Sequence, residues 1–284
     1  MSKDFNDNNM LHIKNGDVEY LKFKILEKYS DKINHVITLR YGGVSSTPYN
    51  SLNFRIAGND KKENVFKNLE IISDKINIDK EKIYKGRQNH TDNILVINDE
   101  NKEKYRFKDI SDEAYDAYIC NETGIATLVT TADCNPIIMY DPNKNAYANI
   151  HSGWKGTVKQ IYLKTAKKMH EIFNSEYKDI IVCIGPSIRK CCFSSEDENF
   201  KLNFTNVWKD EEKYIYYEEN LSRFHIDLMY VIRKDLIELG LKEENIVISD
   251  ICTRCNKDDF FSYRYATQQK QKDYGTMATI VTLK

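Results

Sequence analysis

The sequence predicts an α+β fold, one domain of mixed β-sheets flanked by helices. Three observations carry that prediction. β-Branched apolar runs alternate with segments of helical period along the whole chain. The connection between the runs at 137 and 151 is a hairpin turn, "DPNKN", which a purely parallel sheet would not contain. No repeat, linker or low-complexity tract divides the 284 residues, a length that one large core can hold.

Taken in order, residues 1–16 are polar and read as a loosely ordered N-terminal extension of a single 1–284 domain. Residues 17–30 have a mixed pattern that fits either strand or short helix. "HVITLR" reads as a strand ending in the turn "YGGVSSTPYNSLNF". Residues 60–78 place Val65, Leu69 and Ile72 on one helical face. "NILVIN", "YDAYIC", "GIATLVTTADC", "NPIIMYDP" and "AYANIH" read as successive strands. Residues 157–173 repeat apolar side chains at Val158, Ile161, Tyr162, Thr165, Ala166, Met169 and Phe173, predicting an amphipathic helix. "DIIVCIGPSI" reads as a buried strand, "DLMYVIRKDLIELG" as a helix stopped at Gly240, and "NIVISD" and "YGTMATIVTL" as the closing strands.

Charge and composition exclude several classes. The formal net charge of −1 gives no global field favouring nucleic acid or an anionic membrane. "MSKDFNDNNMLHIKNG" has no basic-then-apolar signal region, and no apolar run approaches membrane-spanning length. The expectation is a cytoplasmic protein, monomeric or weakly dimeric. Seven cysteines, an odd number in a large chain, suit a reducing compartment.

Six histidines limit the chemistry. His12, His35 and His170 read as structural or exposed, and His225 lies just before a helix. His90 in "GRQNHTD" and His151 in "NIHSGWKG" each stand at a strand–loop junction, where functional groups concentrate. With Cys134 they form a set of two histidines and one cysteine, the ligand count of a catalytic zinc with an open fourth position. Two other readings of the same residues stand beside it. Cys134 and His151 could be thiolate and base, or all three could be satisfied core residues. "GWKGT" offers free N–H groups at a helix start beside Lys155 and Gly156, suited to phosphate, and Arg40 in "RYGGVS" supplies an anion-binding fork. Cys252 and Cys255 have Cys-x2-Cys spacing but lack a second such pair, so they read as incidental. The adjacent Cys191 and Cys192 are poorly placed to bridge each other, and Cys120 and Cys183 read as core.

From Arg40 to the C-terminus the chain resembles the YfiH family, also called the laccase-domain or multi-copper polyphenol oxidase family. Its motifs are matched by "RYGGVS…YNSLNF", "RQNHTD", "TTADCNPI", "IHSGWKGT", "IGPSIRKCCF" and "DICTRC…FFSYR". The resemblance implies a YfiH-like (cytotoxic necrotizing factor-like) fold, metal ligands at His90, Cys134 and His151, and zinc rather than copper. Six histidines cannot furnish both a blue-copper centre and a trinuclear cluster, which take about ten protein ligands together. The implied activity is phosphorolysis of adenosine, inosine and methylthioadenosine, with adenosine deamination. Purine nucleoside and phosphate are then the small-molecule partners. Asp133 is the expected proton shuttle for attack of an activated water on C6 of adenine. Arg40, Lys155, Gly156 and then Arg264 are the expected phosphate contacts, and the aromatic residues of "FFSYRY" could stack the purine. The sequence departs from the family in having Lys155 where the family has an arginine, and Thr276 after the late glycine. An alternative client is a mis-built peptidoglycan precursor, hydrolysed with zinc or the Cys134 thiolate. A non-enzymatic zinc-binding domain is the third reading.

Overall fold

Residues Asn135–Asp141 are all buried, and their side chains alternate between two cores. Ile137 and Met139 enter one apolar cluster, Ile138 and Tyr140 another. A strand covered on both faces needs no polar side, which is why "NPIIMYDP" reads as a continuous apolar run. Met277–Leu283 behaves the same way, with Ala278 and Ile280 on one side and Met277, Val281 and Leu283 on the other.

The computed structural model describes Phe5, residues 7–107 and residues 112–284. The first part of the chain contains β1 (Met10–Asn15), β2 (Val18–Phe23), α1 (Lys24–Glu27), β3 (Ile33–Thr38) and α2 (Lys62–Ile76). Then come β4 (Ile83–Tyr84), β5 (Ile94–Val96), β6 (Ala117–Cys120), β7 (Ala126–Thr131), β8 (Asn135–Asp141) and β9 (Ala146–Ser152). Helices α3 (Trp154–Val158) and α4 (Ile161–Phe173) precede β10 (Ile181–Ile184), β11 (Ser194–Ser195), α5 (Glu198–Thr205), β12 (Ile215–Glu218) and β13 (Arg223–Ile226). The chain closes with α6 (Leu228–Leu239), β14 (Ile246–Ile248), α7 (Tyr263–Gln268) and β15 (Met277–Leu283).

Among the described residues these strands form two six-stranded sheets, ordered β1-β2-β3-β15-β7-β4 and β14-β10-β8-β9-β6-β5, and a small sheet β11-β13-β12. The two large sheets pack face to face over Val129, Ile138, Tyr140, Cys183 and Val281. Helix α2 covers the outer face of the first sheet, setting Val65, Leu69 and Ile72 against Val36, Leu128 and Ile280. Helices α4 and α6 cover the second through Ile161, Ala166, Met169, Val231 and Ile232. The result is a helix–sheet–sheet–helix stack, the expected α+β arrangement. Polar ties cross the sheet–sheet core, among them Tyr147 on β9, whose hydroxyl donates to the Ile125 carbonyl at 3.0 Å. The buried Asn149 on β9 donates to the carbonyls of Thr127 and Thr279, each at 3.0 Å.

Two expectations are corrected. The N-terminal stretch is not loose over Met10–Asn15, which pairs with β2 from Met10↔Phe23 to Asn15↔Val18. The signal was the Asn-Gly step. Gly16, at φ +67°, makes a two-residue turn that a side chain would strain. Asp7 adds a second anchor by accepting from Ser249 Oγ at 2.6 Å and Asp250 N at 2.9 Å. The helix expected over 157–173 begins earlier, at Trp154, and breaks at Gln160, where φ is +56°. Gln160 is held there by donating its amide to Asp235 at 3.0 Å. Among the described residues no helix is long and apolar enough to cross a membrane.

His35 is fully enclosed, and its Nε2 accepts the Phe23 N–H at 2.7 Å. Burial, with Lys22 adding to it, drives the ring from its ordinary value near 6.5 down to about 3. The unfolded chain therefore binds this proton before the folded chain does. The stability contributed by the neutral ring is complete above pH 6.5 and drains away as the pH falls towards 3. The slope in that window is about 1.4 kcal/mol per pH unit for the one proton. His35→Gln keeps an acceptor for Phe23 N–H without a titrating group. Denaturant unfolding at pH 6.5, 5.5 and 4.5 should show a shallower loss for the variant than for the wild type, and parallel slopes would refute the assignment.

Candidate metal centre

The site forms where the chain crosses between the two large sheets. After β7 it passes from the first sheet to the second through Ala132, Asp133 and Cys134, with Asp133 at φ +83°. Aspartate tolerates this left-handed conformation better than most residues. Cys134 thus lands at the head of β8, beside the end of β9, whose register pairs Pro136 with His151 and Asn135 with Ser152. His90 arrives on the loop after β4, also left-handed at φ +53°. Two non-glycine residues held at positive φ within one small constellation are the kind of backbone cost that persists where a site requires it.

The ligand atoms of His90, Cys134 and His151 lie within 4.8 Å of one another. Cys134 Sγ is 3.7 Å from His90 Nε2, and the two imidazoles meet edge-on with centroids 4.9 Å apart. Zinc at ordinary bond lengths in a tetrahedron separates sulfur from nitrogen by about 3.6 Å, so this donor set fits the ion. Gly153 makes room for it. A Cβ there would stand 2.6 Å from His90 Cδ2 and 2.9 Å from Cys134 Sγ.

Behind the ligands lies Asp116, with no exposed surface. Its Oδ1 sits 2.7 Å from His151 Nδ1 and accepts His90 N–H at 3.1 Å. Its Oδ2 accepts from Thr91 N at 2.6 Å, Thr91 Oγ1 at 2.7 Å and Asn89 N at 3.3 Å. Its backbone carbonyl takes the His151 N–H at 2.7 Å. One carboxylate therefore fixes the His151 ring, leaving Nε2 for a metal, and also shapes the loop that carries His90. Burial pushes Asp116 up, but the His151 and Thr91 hydrogen bonds outweigh it and hold the acid at about 2. Burial also lifts the Cys134 thiol, and His151 and His90 draw it down to about 7. Against burial, the Cys134 charge and Asp116 raise His151 to about 9. A thiolate this accessible to charge is a ready metal ligand. Sequence reading missed Asp116, although an aspartate opening the apolar run "YDAYIC" was a signal.

The other expected residues take definite places. Asp133 is buried, with Oδ1 accepting from Thr253 Oγ1 at 2.6 Å and Oδ2 from Arg264 N at 2.7 Å and Ser262 Oγ at 2.9 Å. Arg40 gives its guanidinium to the carbonyls of Asn50 and Lys257 and stacks over Phe261 at 4.6 Å. Arg264 donates to the carbonyls of Cys192 and Ser194. Lys155 is exposed, its ammonium 5.5 Å from the Trp154 ring, whereas Gly156 is buried against Ile161. Lys159, not anticipated, reaches the carbonyl of His90 at 3.2 Å. In "FFSYRY", Phe260 and Phe261 are core, while Tyr263 is half exposed and meets Tyr274 edge-on at 5.1 Å. Tyr274 in turn lies under Arg55, 3.9 Å from its ring centroid. Burial raises the Tyr274 phenol, Arg55 offsets part of that rise, and the nearby Cys134 charge adds to it. His225 belongs to the small sheet, bonded to Lys190 O and Glu218. The reading of Cys252 and Cys255 as incidental is corrected, because the fold brings both to Cys191 and Cys192, some sixty positions away in the chain.

Removing the orienting carboxylate or filling the glycine space should weaken metal binding without touching a ligand. Asp116→Asn is expected to lower zinc affinity about 10–100-fold. Gly153→Ala should do the same by displacing the His90 ring. Competition against a chromogenic chelator measures both, and affinities equal to wild type would show that neither residue supports the centre.

Residues 34–284 match the sequence model of a family described as multi-copper polyphenol oxidoreductase laccase. A purine nucleoside phosphorylase of Bacteroides thetaiotaomicron is 31% identical over 250 residues, covering 87% of this chain and 92% of that one. An adenosine deaminase from an unknown prokaryotic organism is 31% identical over 194 residues, 66% of this chain and 72% of that one. The crystal structure of Bacillus licheniformis hypothetical protein YfiH superposes with a TM-score of 0.86 at 25% identity, covering 98% of this chain and all of that one. With the matched region holding the whole His90–Cys134–His151 centre, the chain belongs to the laccase-like family that includes these purine nucleoside enzymes.

Proposed function

We propose that the chain is a zinc-dependent purine nucleoside phosphorylase, cleaving adenosine, inosine and methylthioadenosine with phosphate, and that the same site deaminates adenosine. The observation that carries this reading is the meeting of His90, Cys134 and His151 at zinc-ligand spacing over the buried Asp116. The names of the relatives supply the substrate class. A zinc ion held by these three side chains would keep a fourth position open and act there as a Lewis acid.

The protein's own residues divide the remaining work. Tyr263 and Tyr274 offer an aromatic wall near Cys134 for a purine face. Lys159 brings positive charge to the backbone of His90, and Lys155 stands exposed two residues after Gly153; we assign both to neutralising phosphate. Arg40 and Arg264 spend their forks on backbone carbonyls, so we read them as holding the rim rather than the phosphate. Asp133 carries three donors on its carboxylate, and burial raises its pKa while those donors and Arg264 oppose the rise. We read it as the anchor of the 253–264 segment in place of the proton shuttle expected from sequence.

A second reading has one observation in its favour. Cys134, His151 and Asp116 also line up as thiolate, base and orienting carboxylate, as a cysteine hydrolase acting on a peptidoglycan precursor would need. His90, 3.7 Å from the same sulfur, has no part in such a triad and a clear one in a metal site.

Adenosine incubated with the protein should give adenine only when phosphate is present and inosine with or without it. Both products should vanish on chelation or in Cys134→Ala, and return to the chelated wild type with zinc. Turnover that survives exhaustive chelation would select the cysteine triad, and no turnover by zinc-loaded protein would overturn the adenosine assignment. Lys155→Ala should raise the KM for phosphate about tenfold or more, the value of one charged hydrogen bond. An unchanged KM would remove Lys155 from the phosphate site.

A further inference from the structure

Cys191 and Cys192 lie on the loop between β10 and β11, and Cys252 and Cys255 on the loop after β14. The fold brings the four sulfurs within 4.8 Å of one another. Cys255 Sγ is 3.7 Å from Cys191 Sγ and 3.4 Å from Cys192 Sγ. The Arg189 N–H points at Cys252 Sγ from 3.5 Å, a backbone donor of the sort that stabilises a metal-bound thiolate. Cys252 is buried while Cys191 and Cys255 are exposed, which gives an ion a path to a half-built cage.

We propose that Cys191, Cys192, Cys252 and Cys255 bind a second zinc ion, a closed structural site separate from the His90–Cys134–His151 centre. Binding takes up one Zn²⁺ and releases the four thiol protons to solvent. Its effect is to tie two loops that converge on the first centre. Thr253, between the two cysteines of one loop, donates to Asp133, the neighbour of Cys134. Arg264 donates to Asp133 through its backbone N–H and to the Cys192 carbonyl through its side chain. A bridge between Ser187 and Cys252 already joins the loops at their base. A metal at the four sulfurs would add a second tie between the same pair of loops.

The test counts metal, independently of turnover. Protein prepared with reductant, loaded with zinc and desalted should hold two zinc ions per chain by elemental analysis. Cys134→Ala should keep one and Cys255→Ser should keep one. The Cys134→Ala/Cys255→Ser double variant should keep none. Cobalt-substituted Cys134→Ala should show the intense sulfur-to-cobalt absorption of a tetrathiolate. In zinc-loaded Cys134→Ala, Cys191 and Cys255 should resist a thiol reagent until chelator is added, even though both are exposed. Full circular dichroism signal and a cooperative melt for Cys255→Ser would establish that its lost zinc reflects a lost ligand. The proposal is overturned if wild type holds a single zinc that Cys134→Ala abolishes, or if the two exposed thiols react at once without chelator. It is equally overturned if Cys192 and Cys255 are recovered as a disulfide from reduced, zinc-loaded protein, or if iron alone fills the site.

Discussion

The centre depends on burying one carboxylate. Asp116 has no exposed surface, and an ionised acid in that position is tenable only if its lone pairs are filled by strong donors. They are filled by the His151 ring, the Thr91 hydroxyl and three successive backbone N–H groups from Asn89 to Thr91. The need to satisfy that acid thus dictates the path of the 89–91 loop, including the left-handed His90, and the orientation of His151. His90 and His151, two of the three candidate ligands, are placed by the same bonds that make Asp116 tolerable. This is why a residue outside the candidate ligand set holds the geometry together.

The larger frame serves the same end. Cys134 heads β8 and His151 is the penultimate residue of β9, so the β8–β9 pairing fixes them relative to each other, while the packing between the sheets fixes how the crossing from β7 arrives there. That packing is apolar and non-directional over most of its area, which fixes separation better than registration. Asn149, two residues before His151, bonds to carbonyls on both β7 and β15 and supplies the missing direction. The rim is fixed in a comparable manner. Asp133 fastens the segment containing Thr253, Ser262 and Arg264 to the residue beside Cys134.

Much of this was legible in the chain, for identifiable reasons. Strands such as β8 and β15 announced themselves because burial on both faces demands unbroken apolar runs. His90, Cys134 and His151 stood out in the sequence because small or turn-forming neighbours surround each, and the fold brings their ligand atoms within 4.8 Å of one another. What escaped sequence reading depends on contacts between distant residues. Asp116 looks like any acid at a strand start until His151 folds against it. Cys191 and Cys192 are adjacent, and Cys252–Cys255 has Cys-x2-Cys spacing with no second such pair, because each pair is half of a set that only the β10–β14 pairing assembles. The expected phosphate roles of Arg40 and Arg264 had the opposite weakness. Residue type suggested free forks, whereas carbonyls invisible in sequence engage the Arg40 Nε and Nη1 and the Arg264 Nη1.

The family description names a multi-copper laccase, and the placement of the histidines bears on that name. Four-copper chemistry needs about eight imidazoles gathered at one cluster besides those at a blue-copper centre. Of the six histidines here, two enter the centre, and the other four are dispersed and already engaged. His12 bonds Glu19, His35 accepts from Phe23, His170 meets the Ser175 carbonyl and His225 spans Lys190 and Glu218. No rearrangement short of refolding would gather them. What the described residues do gather is one mixed nitrogen–sulfur set and one all-sulfur set. The first has the ligand number of a Lewis-acid site and the second that of a structural clasp. Both sets suit a metal that does not change oxidation state, and that chemistry agrees with relatives named for purine nucleoside cleavage and deamination better than with oxidation of phenols.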